Sequence, residues 1–236
     1  MSGFGMGKVA RVNSFEKKRK AVIFGVSAFA EIAAVYLREF SDYEVVAFTV
    51  DRDYIERESI LGIPVVPFEN IEQSHPPDGF EMFVAVGFKN VNRLRTDLVA
   101  RCKGRGYRML SYIDPRALLT AENTFGEHVF IFEANVIQPF VTIGSNTILW
   151  SGNHIGHHSR IGSNVFIASH VVISGHVSIG DNTFVGVNAT LRDGVKVGTF
   201  NVIGAGSSIM KDTPDRAVFR GPKTDPADMT SDQLKF

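Results

Sequence analysis

The chain has 236 residues, of which 44% are apolar, and its 25 Lys and Arg residues are balanced by 25 Asp and Glu residues. No net charge therefore draws it toward nucleic acid or an anionic membrane. No apolar run approaches the roughly 18 residues of a membrane span, and the first residues lack the apolar core of a signal peptide. Cys102 is the single cysteine, which excludes an intrachain disulfide and a cysteine-based zinc site and favours a reducing, cytoplasmic setting.

Residues 1–19 form a polar segment that runs into a basic stretch, Lys17 to Lys20, and we expect a flexible, solvated extension there. Residues 20–113 alternate between two patterns. Short apolar runs predict strands over residues 21–24, 44–50, 63–66, 81–86 and 107–113. Stretches with helical spacing predict helices over residues 28–40, 68–73 and 90–103. This alternation predicts a small Rossmann-like domain with a parallel sheet.

Ligands of such a sheet bind at the carboxyl ends of its strands. Gly25 and Ser27 follow the first predicted strand, Ala28 begins the first helix, Asp51 follows the second strand, and Gly87 follows a later one. A glycine after the first strand and an acid after the second is the layout of a nucleotide-binding fold. The dinucleotide motif has three glycines and this turn has one, so a plain strand-to-helix turn is the alternative interpretation.

Residues 119–214 divide without interruption into 16 hexads. The first position of every hexad is Leu, Ile, Val or Phe, and the second is Gly in 8 of the 16. A period of six suits neither a helix nor a plain strand, and it predicts a β-solenoid of about five triangular coils. We expect the glycines to relax the backbone at the turns. Residues 114–214 form this second predicted domain, and residues 215–236 form a loop over the last coil and a frayed end.

Five of the seven histidines lie between His154 and His176. His157 takes a third position and His158, His170 and His176 take fourth positions, at corners that point away from the core. His158 and His176 are 18 residues apart, so they should stack on adjacent coils. An imidazole there can act as a general base, or several imidazoles can bind zinc. Surface turns that simply tolerate histidine are a third interpretation.

The β-helix carbonic anhydrases would need two zinc-binding histidines five residues apart on one coil. His170 and His176 are six apart, on equivalent corners of different faces, so they should diverge. We therefore predict no metal site.

Two runs, HHSRIGSNVFIA from His157 and ISGHVSIGDNTFVG from Ile173, resemble the PglD/NeuD-like bacterial sugar N-acetyltransferases of the left-handed β-helix (hexapeptide-repeat) superfamily. An Ile-x-Pro junction ending at Pro115 and a Lys-Asp-x-Pro step ending at Pro214 extend the resemblance over about residues 20–222. It implies a small β-α-β domain followed by a left-handed parallel β-helix. It also implies acetyl-CoA as co-substrate and a homotrimer with active sites between subunits.

The resemblance also implies roles for individual residues. The general base is at His157, and His158 stands where relatives commonly carry Asp or Glu. Acetyl-CoA is held at Gly175, Val187 and Ala205, with the Gly175 amide as a candidate oxyanion donor. A nucleotide-linked amino-sugar lies near Gly25, Ser27, Ala28, Asp51 and Gly87.

We therefore expect an acetyl-CoA-dependent N-acetyltransferase with His157 as base and His158 as the backup. The alternatives are transfer of acetyl to a hydroxyl, transfer of another acyl group, a non-catalytic nucleotide-sugar-binding protein, and a zinc enzyme like the β-helix carbonic anhydrases. The sequence specifies neither the base of the nucleotide nor the stereochemistry of the sugar.

Overall fold

The computed structural model of the chain describes residues 19–233, so all but the last residue of the extension predicted over residues 1–19 lie outside the described part. The amino-terminal domain is a six-stranded sheet in the order β3-β4-β2-β1-β5-β6, parallel except where β3 meets β4. Its strands are β1 (Arg19–Phe24), β2 (Tyr43–Val50), β3 (Ser59–Ile60), β4 (Ile63–Pro67), β5 (Glu81–Val84) and β6 (Arg108–Met109). Its helices are α1 (Ala28–Phe40), α2 (Ile71–Ser74) and α3 (Arg93–Gly104), with 3₁₀ turns at Arg52–Tyr54 and Phe68–Asn70.

β1 is the centre of this sheet because it pairs with β2 on one side and β5 on the other. Its last four residues are buried, as a strand covered on both faces requires. The chain leaves β1 toward β2 and β4 first and later returns to its other side as β5, so the carboxyl end of β1 is a topological switch point. Ligands of open parallel sheets bind at such points.

The start of β1 corrects the expectation of a solvated basic tail. Arg19 and Lys20 belong to the strand. Arg19 donates two hydrogen bonds from Nη2 and one from Nε to the carboxylate of Glu81, at 2.7 to 3.1 Å. Glu81 is buried and also accepts a hydrogen bond of 2.8 Å from the Tyr43 hydroxyl. A buried carboxylate needs such partners, so the basic residue is held in the sheet.

Residues 112–219 form a parallel β-helix with three flat faces, each built from two-residue strands stacked 18 residues apart. Face 1 contains Tyr112–Ile113, Phe130–Ile131, Ile148–Leu149, Phe166–Ile167, Phe184–Val185, Val202–Ile203 and Val218–Phe219. Face 2 contains Val136–Ile137, His154–Ile155, Val172–Ile173, Thr190–Leu191 and Ser208–Ile209. Face 3 contains Thr124–Phe125, Thr142–Ile143, Arg160–Ile161, Ser178–Ile179 and Lys196–Val197.

The β-helix is longer than the hexad pattern suggested. It begins at Tyr112, which the sequence placed in the last strand of the first domain, because Tyr112–Ile113 pairs with Phe130–Ile131. It ends at Phe219 instead of Pro214, because Val218–Phe219 pairs with Val202–Ile203. The chain after residue 214 therefore adds a further strand before the tail, which contains a 3₁₀ turn at Ser231–Gln233.

The turns are made by the fourth position of each hexad and not by the second-position glycines, which corrects the sequence expectation. Every fourth-position residue from His128 to Gly206 has a positive φ, between 55° and 77°. The second-position glycines have no such φ and serve close approach between coils. A Cβ added at Gly144 would lie 2.6 Å from the carbonyl carbon of Gly162, and one at Gly180 would lie 2.7 Å from that of Gly198. Neighbouring coils therefore leave no room for a side chain there.

Face 1 is covered by the amino-terminal domain. The outward side chains of Tyr112, Phe130, Ile148 and Phe166 are buried in one apolar cluster with residues of α1 and β5. Phe29 and Phe83 lie 6.1 and 4.7 Å from the Phe130 ring, within the range of favourable aromatic pairs. The two domains therefore share a core, and the amino-terminal domain shields face 1 of the β-helix from solvent.

A fully buried arginine joins the two domains beside this shared core. Arg95 of α3 donates hydrogen bonds to the main-chain oxygens of Asn146, Asn164 and Val165 in the β-helix, at 3.1 to 3.3 Å. It also donates to the Gly87 oxygen at 3.0 Å. Its neighbours are carbonyl and amide oxygens, so burial lowers the Arg95 pKa to about 9.

His128 lies in the same joint and is also fully buried. Its Nε2 accepts the Val84 N–H at 2.9 Å, so Nδ1 carries the proton and donates to Asn146 Oδ1 at 2.9 Å. Burial lowers the pKa of His128 to about 3, and the hydrogen bond to Asn146 opposes this shift only in part. The imidazole is therefore neutral in the folded chain.

The acid sensitivity of the fold should depend on His128. The unfolded chain binds a proton at this histidine as the pH falls below about 6.5, whereas the folded chain does not until about pH 3. The contribution of the neutral His128 to the unfolding free energy is therefore complete above about pH 6.5 and is lost progressively below it. Each pH unit in that window should cost about 1.4 kcal/mol of unfolding free energy. The His128→Asn chain lacks this titrating group and keeps a residue that tolerates positive φ. Its unfolding free energy should therefore fall less steeply as the pH falls, by about 1.4 kcal/mol per pH unit. Urea unfolding of both chains between pH 6 and pH 4 measures this difference, and equal slopes would contradict it.

Candidate active site

A cavity of about 660 Å³ opens at the carboxyl ends of β1, β2 and β5. It is lined by Gly25 and Ser27 after β1, by Asp51 after β2 and by Gly87 after β5. These are four of the five residues that the sequence placed around a nucleotide-linked sugar. The fifth, Ala28, is the exposed first residue of α1 and is outside the lining. The parallel sheet therefore brings together residues that lie up to 62 positions apart.

The Gly25 turn allows a close approach between two backbone segments. Gly25 has φ 133°, and a Cβ there would lie 2.9 Å from the Ala85 carbonyl oxygen, so a side chain is excluded for both reasons. The next residues, Val26 and Ser27, lead directly into α1, whose first turn has unpaired main-chain N–H groups. An anionic group at this edge of the cavity would face the positive end of the helix dipole.

The electrostatics of the cavity favour an anionic ligand. Asp51 is the one acidic residue of the lining, and Arg101 of α3 neutralises it through two hydrogen bonds of 2.6 and 3.0 Å. This contact with Arg101 lowers the Asp51 pKa, so the carboxylate stays ionised and can still accept hydrogen bonds. Lys89 at the rim has no acidic counterpart within the lining.

The rim beside Lys89 has a strained backbone. Asn90, Val91 and Asn92 have positive φ values of 54°, 52° and 64°, and a β-branched residue such as Val91 rarely adopts this conformation. The Asn92 side chain holds the turn by donating to the Asn182 and Thr183 oxygens of the β-helix at 3.1 and 3.2 Å. Phe88 packs on Phe184, with ring centroids 4.4 Å apart. This rim is thus built on face 1 of the β-helix.

The second constellation is at the corner between faces 2 and 3. His157 and His158 place their Nδ1 atoms 3.2 Å apart, and both side chains are exposed. His158 and His176 stack, with centroids 4.9 Å apart and planes 18° apart, which confirms the stacking expected from their spacing. The Gln138 side chain accepts the His157 N–H at 2.9 Å and fixes the main chain below the ring. His170 lies at a different corner, as its six-residue offset predicted.

Gly175 lies directly above His157 on the next coil. A Cβ at this position would lie 2.7 Å from His157 Cε1 and 2.9 Å from Nε2, so only a glycine lets the ring occupy this place. The contact also shows that Nε2 faces the Gly175 backbone while Nδ1 faces His158. Within residues 19–233 no acceptor forms a hydrogen bond with the Gly175 N–H. A ring nitrogen and a free amide donor are therefore adjacent.

Val187 and Ala205 are at the corner between faces 1 and 2, stacked on adjacent coils and both exposed. They do not meet Gly175 within one chain, because the whole width of face 2 separates the two corners. The three residues predicted to hold acetyl-CoA thus flank face 2 on its two edges.

The cavity and the histidine corner are on opposite sides of the β-helix. The cavity rim rests on face 1, through Phe88 and Asn92, and the histidine corner is the one corner that face 1 does not touch. A single chain therefore does not bring the predicted base to the predicted nucleotide site.

Sequence reasoning missed several residues of both constellations. Arg101 and Lys89 line the cavity, and Arg95 fixes Gly87, but all three lie in or beside the helix predicted over residues 90–103, to which the sequence analysis gave no functional residue. The third histidine of the corner, His176, was recognised as a stacking partner and not as part of one cluster with His157. The sequence does carry a signal for the full cluster, because His176 lies 18 residues after His158 and His157 directly precedes His158.

Known families and structures match this arrangement. Residues 140–175 and 176–211 match the family model described as bacterial transferase hexapeptide, six repeats. The acetyltransferase domain of PglB from Neisseria gonorrhoeae FA1090 is 25% identical, with a TM-score of 0.75 over 85% of this chain and 96% of that one. PerB from Caulobacter crescentus, solved with CoA and GDP-perosamine, is 29% identical, with a TM-score of 0.75 over 84% of this chain and 92% of that one. A search of curated proteins finds no match.

The matches confirm the predicted fold, a small Rossmann-like domain followed by a left-handed parallel β-helix. They extend over both domains, since 84 to 85% of the chain is covered in each case. Among residues 19–233 no helix has the length and apolar character needed to cross a membrane.

Proposed function

We propose that this hexapeptide-repeat acyltransferase, which resembles the PglD/NeuD-like sugar N-acetyltransferases, moves an acetyl group from acetyl-CoA to the amino group of a nucleotide-linked amino-deoxysugar. The observation that carries the proposal is the placement of His157 Nε2 beside Gly175, whose amide N–H has no acceptor among residues 19–233, at a corner of the β-helix. PerB, which has the same two domains, was solved with CoA and with GDP-perosamine, a nucleotide-linked sugar.

The cavity of the first domain is suited to the nucleotide. Its switch-point position and its excess of basic over acidic lining residues favour a diphosphate at the start of α1. The ionised Asp51 carboxylate, held by Arg101, can accept hydrogen bonds from ribose hydroxyls or from a base N–H. Gly87, held by Arg95, keeps the opposite wall without a side chain. These contacts support a nucleoside diphosphate and leave the identity of the base open.

His158 supplies the partner that the catalytic imidazole needs. Two facing Nδ1 atoms at 3.2 Å require one N–H and one lone pair. When His157 donates from Nδ1 to His158, its Nε2 has a free lone pair and can accept a proton. His158 then does what a carboxylate does in other enzymes, since it selects the tautomer of the base and holds its ring. His158 is thus a positioning residue in this proposal, and His157 is the general base.

The chemical step needs these two groups and no acyl-enzyme intermediate. The substrate amine attacks the thioester carbonyl carbon while His157 Nε2 takes one amine proton. The Gly175 N–H stabilises the oxyanion of the tetrahedral adduct. The carbon–sulfur bond then breaks, and the protonated His157 returns its proton to the CoA sulfur. The products are the N-acetylated sugar and free CoA. Cys102 takes no part, because it is buried in the first domain and burial raises the pKa of its thiol to about 12.

The separation of the two constellations within one chain supports a homotrimer with sites between subunits. A neighbouring subunit must bring its histidine corner to the cavity, because face 1 keeps the two apart within one chain. Face 2 is suited to the contact, because its outward column contains the apolar Leu118, Val136 and Val172, the last 42% exposed. The same column also contains His154, Thr190 and Ser208. The outward column of face 3 is polar or charged, including Arg160 and Lys196. Face 2 is therefore less polar than face 3, which supports assembly through face 2.

The proposed setting is the cytoplasm, which is compatible with one reduced, buried cysteine. The product would be a building block for a surface polysaccharide or glycan. Val187 and Ala205 at the far edge of face 2 would hold acetyl-CoA where two subunits meet.

Replacing His157 should remove transfer without affecting the fold. CoA release would be followed with acetyl-CoA and a panel of UDP-, dTDP-, GDP- and CMP-linked amino-sugars. His157→Asn should lower kcat by about 10²- to 10⁴-fold, the usual contribution of a general base. His170→Asn is the control variant, since it makes the same substitution at an exposed corner histidine outside the cluster. Near-normal turnover in His157→Asn, or no transfer by the unmodified chain to any amino-sugar, would refute the proposal.

The glycine above the base gives an independent test. In Gly175→Ala the new methyl group would displace the His157 ring, so kcat should fall by about 10²-fold, as for a misplacement of about 1 Å, with little change in Tm. Gly180→Ala is the contrasting variant, because its Cβ meets main chain instead of a movable ring. It should lower Tm and leave the turnover of the folded protein intact. Full activity in Gly175→Ala would show that the ring is not needed in its observed place.

A further inference from the structure

Three exposed imidazoles converge at the corner between faces 2 and 3. His157, His158 and His176 each offer a ring nitrogen, and these three atoms lie within 4.8 Å of one another. The ring centroids of the three pairs are 4.9 to 5.3 Å apart. In the proposed reaction His157 is the general base and His158 selects the tautomer of His157. That reaction gives no role to His176. The third ring is therefore unexplained by the proposed reaction.

The spacing of these nitrogens matches a transition-metal site. Zn²⁺ binds imidazole nitrogen at 2.0–2.1 Å, so two nitrogens in a tetrahedral site lie about 3.3 Å apart. The Nδ1 atoms of His157 and His158 are 3.2 Å apart. The exposed His176 side chain is stacked on His158, so its ring must rotate out of the stack to bring a nitrogen to the same ion. We propose that His157, His158 and His176 form a binding site for one divalent transition-metal ion, with Zn²⁺ as its chemical type.

The backbone holds the three histidines side by side. His158 and His176 occupy the left-handed turn conformation, with φ 57° and 55°, at equivalent points of consecutive coils. The His176 N–H donates to the His157 main-chain oxygen at 2.8 Å, so the coils hold the residues in register. Three neutral imidazoles and an open fourth position suit Zn²⁺, Ni²⁺ or Cu²⁺ and not the oxygen-seeking Mg²⁺ or Ca²⁺.

Metal binding would switch the general base off. An ion on Nδ1 of His157 leaves the single proton of the neutral ring on Nε2, where the lone pair for the amine was. The proton only moves between the two nitrogens of the ring, and no redox change is involved. This inhibitory effect rests on the proposed function, whereas the metal site itself does not. The ion acts as a reversible inhibitor that a chelator removes.

Binding is tested by titrating Zn²⁺ into the chain against a chromophoric chelator. One ion should bind per chain, and His176→Asn should weaken the affinity by at least about 10- to 100-fold, the range for losing even an indirect partner of a metal ligand. His170→Asn should bind like the unmodified protein. Co²⁺ in place of Zn²⁺ should give the visible absorption of a four-coordinate ion, and His176→Asn should remove it. No binding, or equal affinity in His176→Asn and the unmodified chain, overturns the proposal.

Activity then separates this inference from the proposed function. Zn²⁺ should slow acetyl transfer in the unmodified chain, and a chelator should restore it. Inhibition of His176→Asn, measured relative to its own zinc-free rate, should be weaker by the same factor by which its affinity for zinc falls. Inhibition that is equal in both proteins overturns the assignment of the site. Zinc that binds through His176 without slowing transfer leaves the metal site standing and overturns His157 as the base.

Discussion

The burial of face 1 beneath the amino-terminal domain is the constraint on which the rest of this structure depends. The aromatic column of Tyr112, Phe130 and Phe166 would be exposed without that domain. Arg95 fixes the relative orientation of the two domains at this apolar contact, because its guanidinium donates hydrogen bonds to oxygens of both domains at once. Loss of its partners would leave a charge uncompensated in the interior, at a cost of several kcal/mol. The cavity is thereby fixed to one side of the β-helix.

Function in this fold is carried by positions that do not build the core. First-position and fifth-position side chains fill the interior of the β-helix. Fourth-position residues turn the corner in a left-handed conformation and are free to vary, which is why the chain has Asn, His, Phe, Ala and Gly there. His158 and His176 use this freedom at one corner, and His128 uses it at another. The same local geometry thus yields an exposed cluster in one place and a buried structural imidazole in the other, because only the second corner lies under the amino-terminal domain.

Much of this structure could be predicted from periodicity. The six-residue repeat predicted the β-helix, and the stacking of His158 on His176 followed from an offset of 18 residues. The alternation of strands and helices also placed Gly25, Ser27, Asp51 and Gly87 at one edge of a sheet. These features are local or strictly repetitive, so spacing alone determines them.

Other features depend on contacts between distant segments, and no pattern reports those. Arg19 was assigned to a solvated tail because its partner, Glu81, lies 62 residues away. The pairing of Asp51 with Arg101 and the burial of Arg95 arise only when α3 docks. Glycine often occupies turns, which is the basis of the sequence expectation. Gly152, Gly194 and Gly206 do so here, whereas the second-position glycines permit the contact of one coil with the next.

The central claim is that the nucleotide cavity of one subunit works with the histidine corner of another. Two inactive variants test it: Ser27→Trp, which fills the cavity from an exposed position, and His157→Asn, which removes the base. Trimers reassembled from equal amounts of both should recover about one quarter of the unmodified activity, because each site then combines an intact cavity with an intact base in one case of four. Reassembled trimers without activity, while unmodified trimers treated in the same way stay active, would contradict the account and place the whole site within one chain.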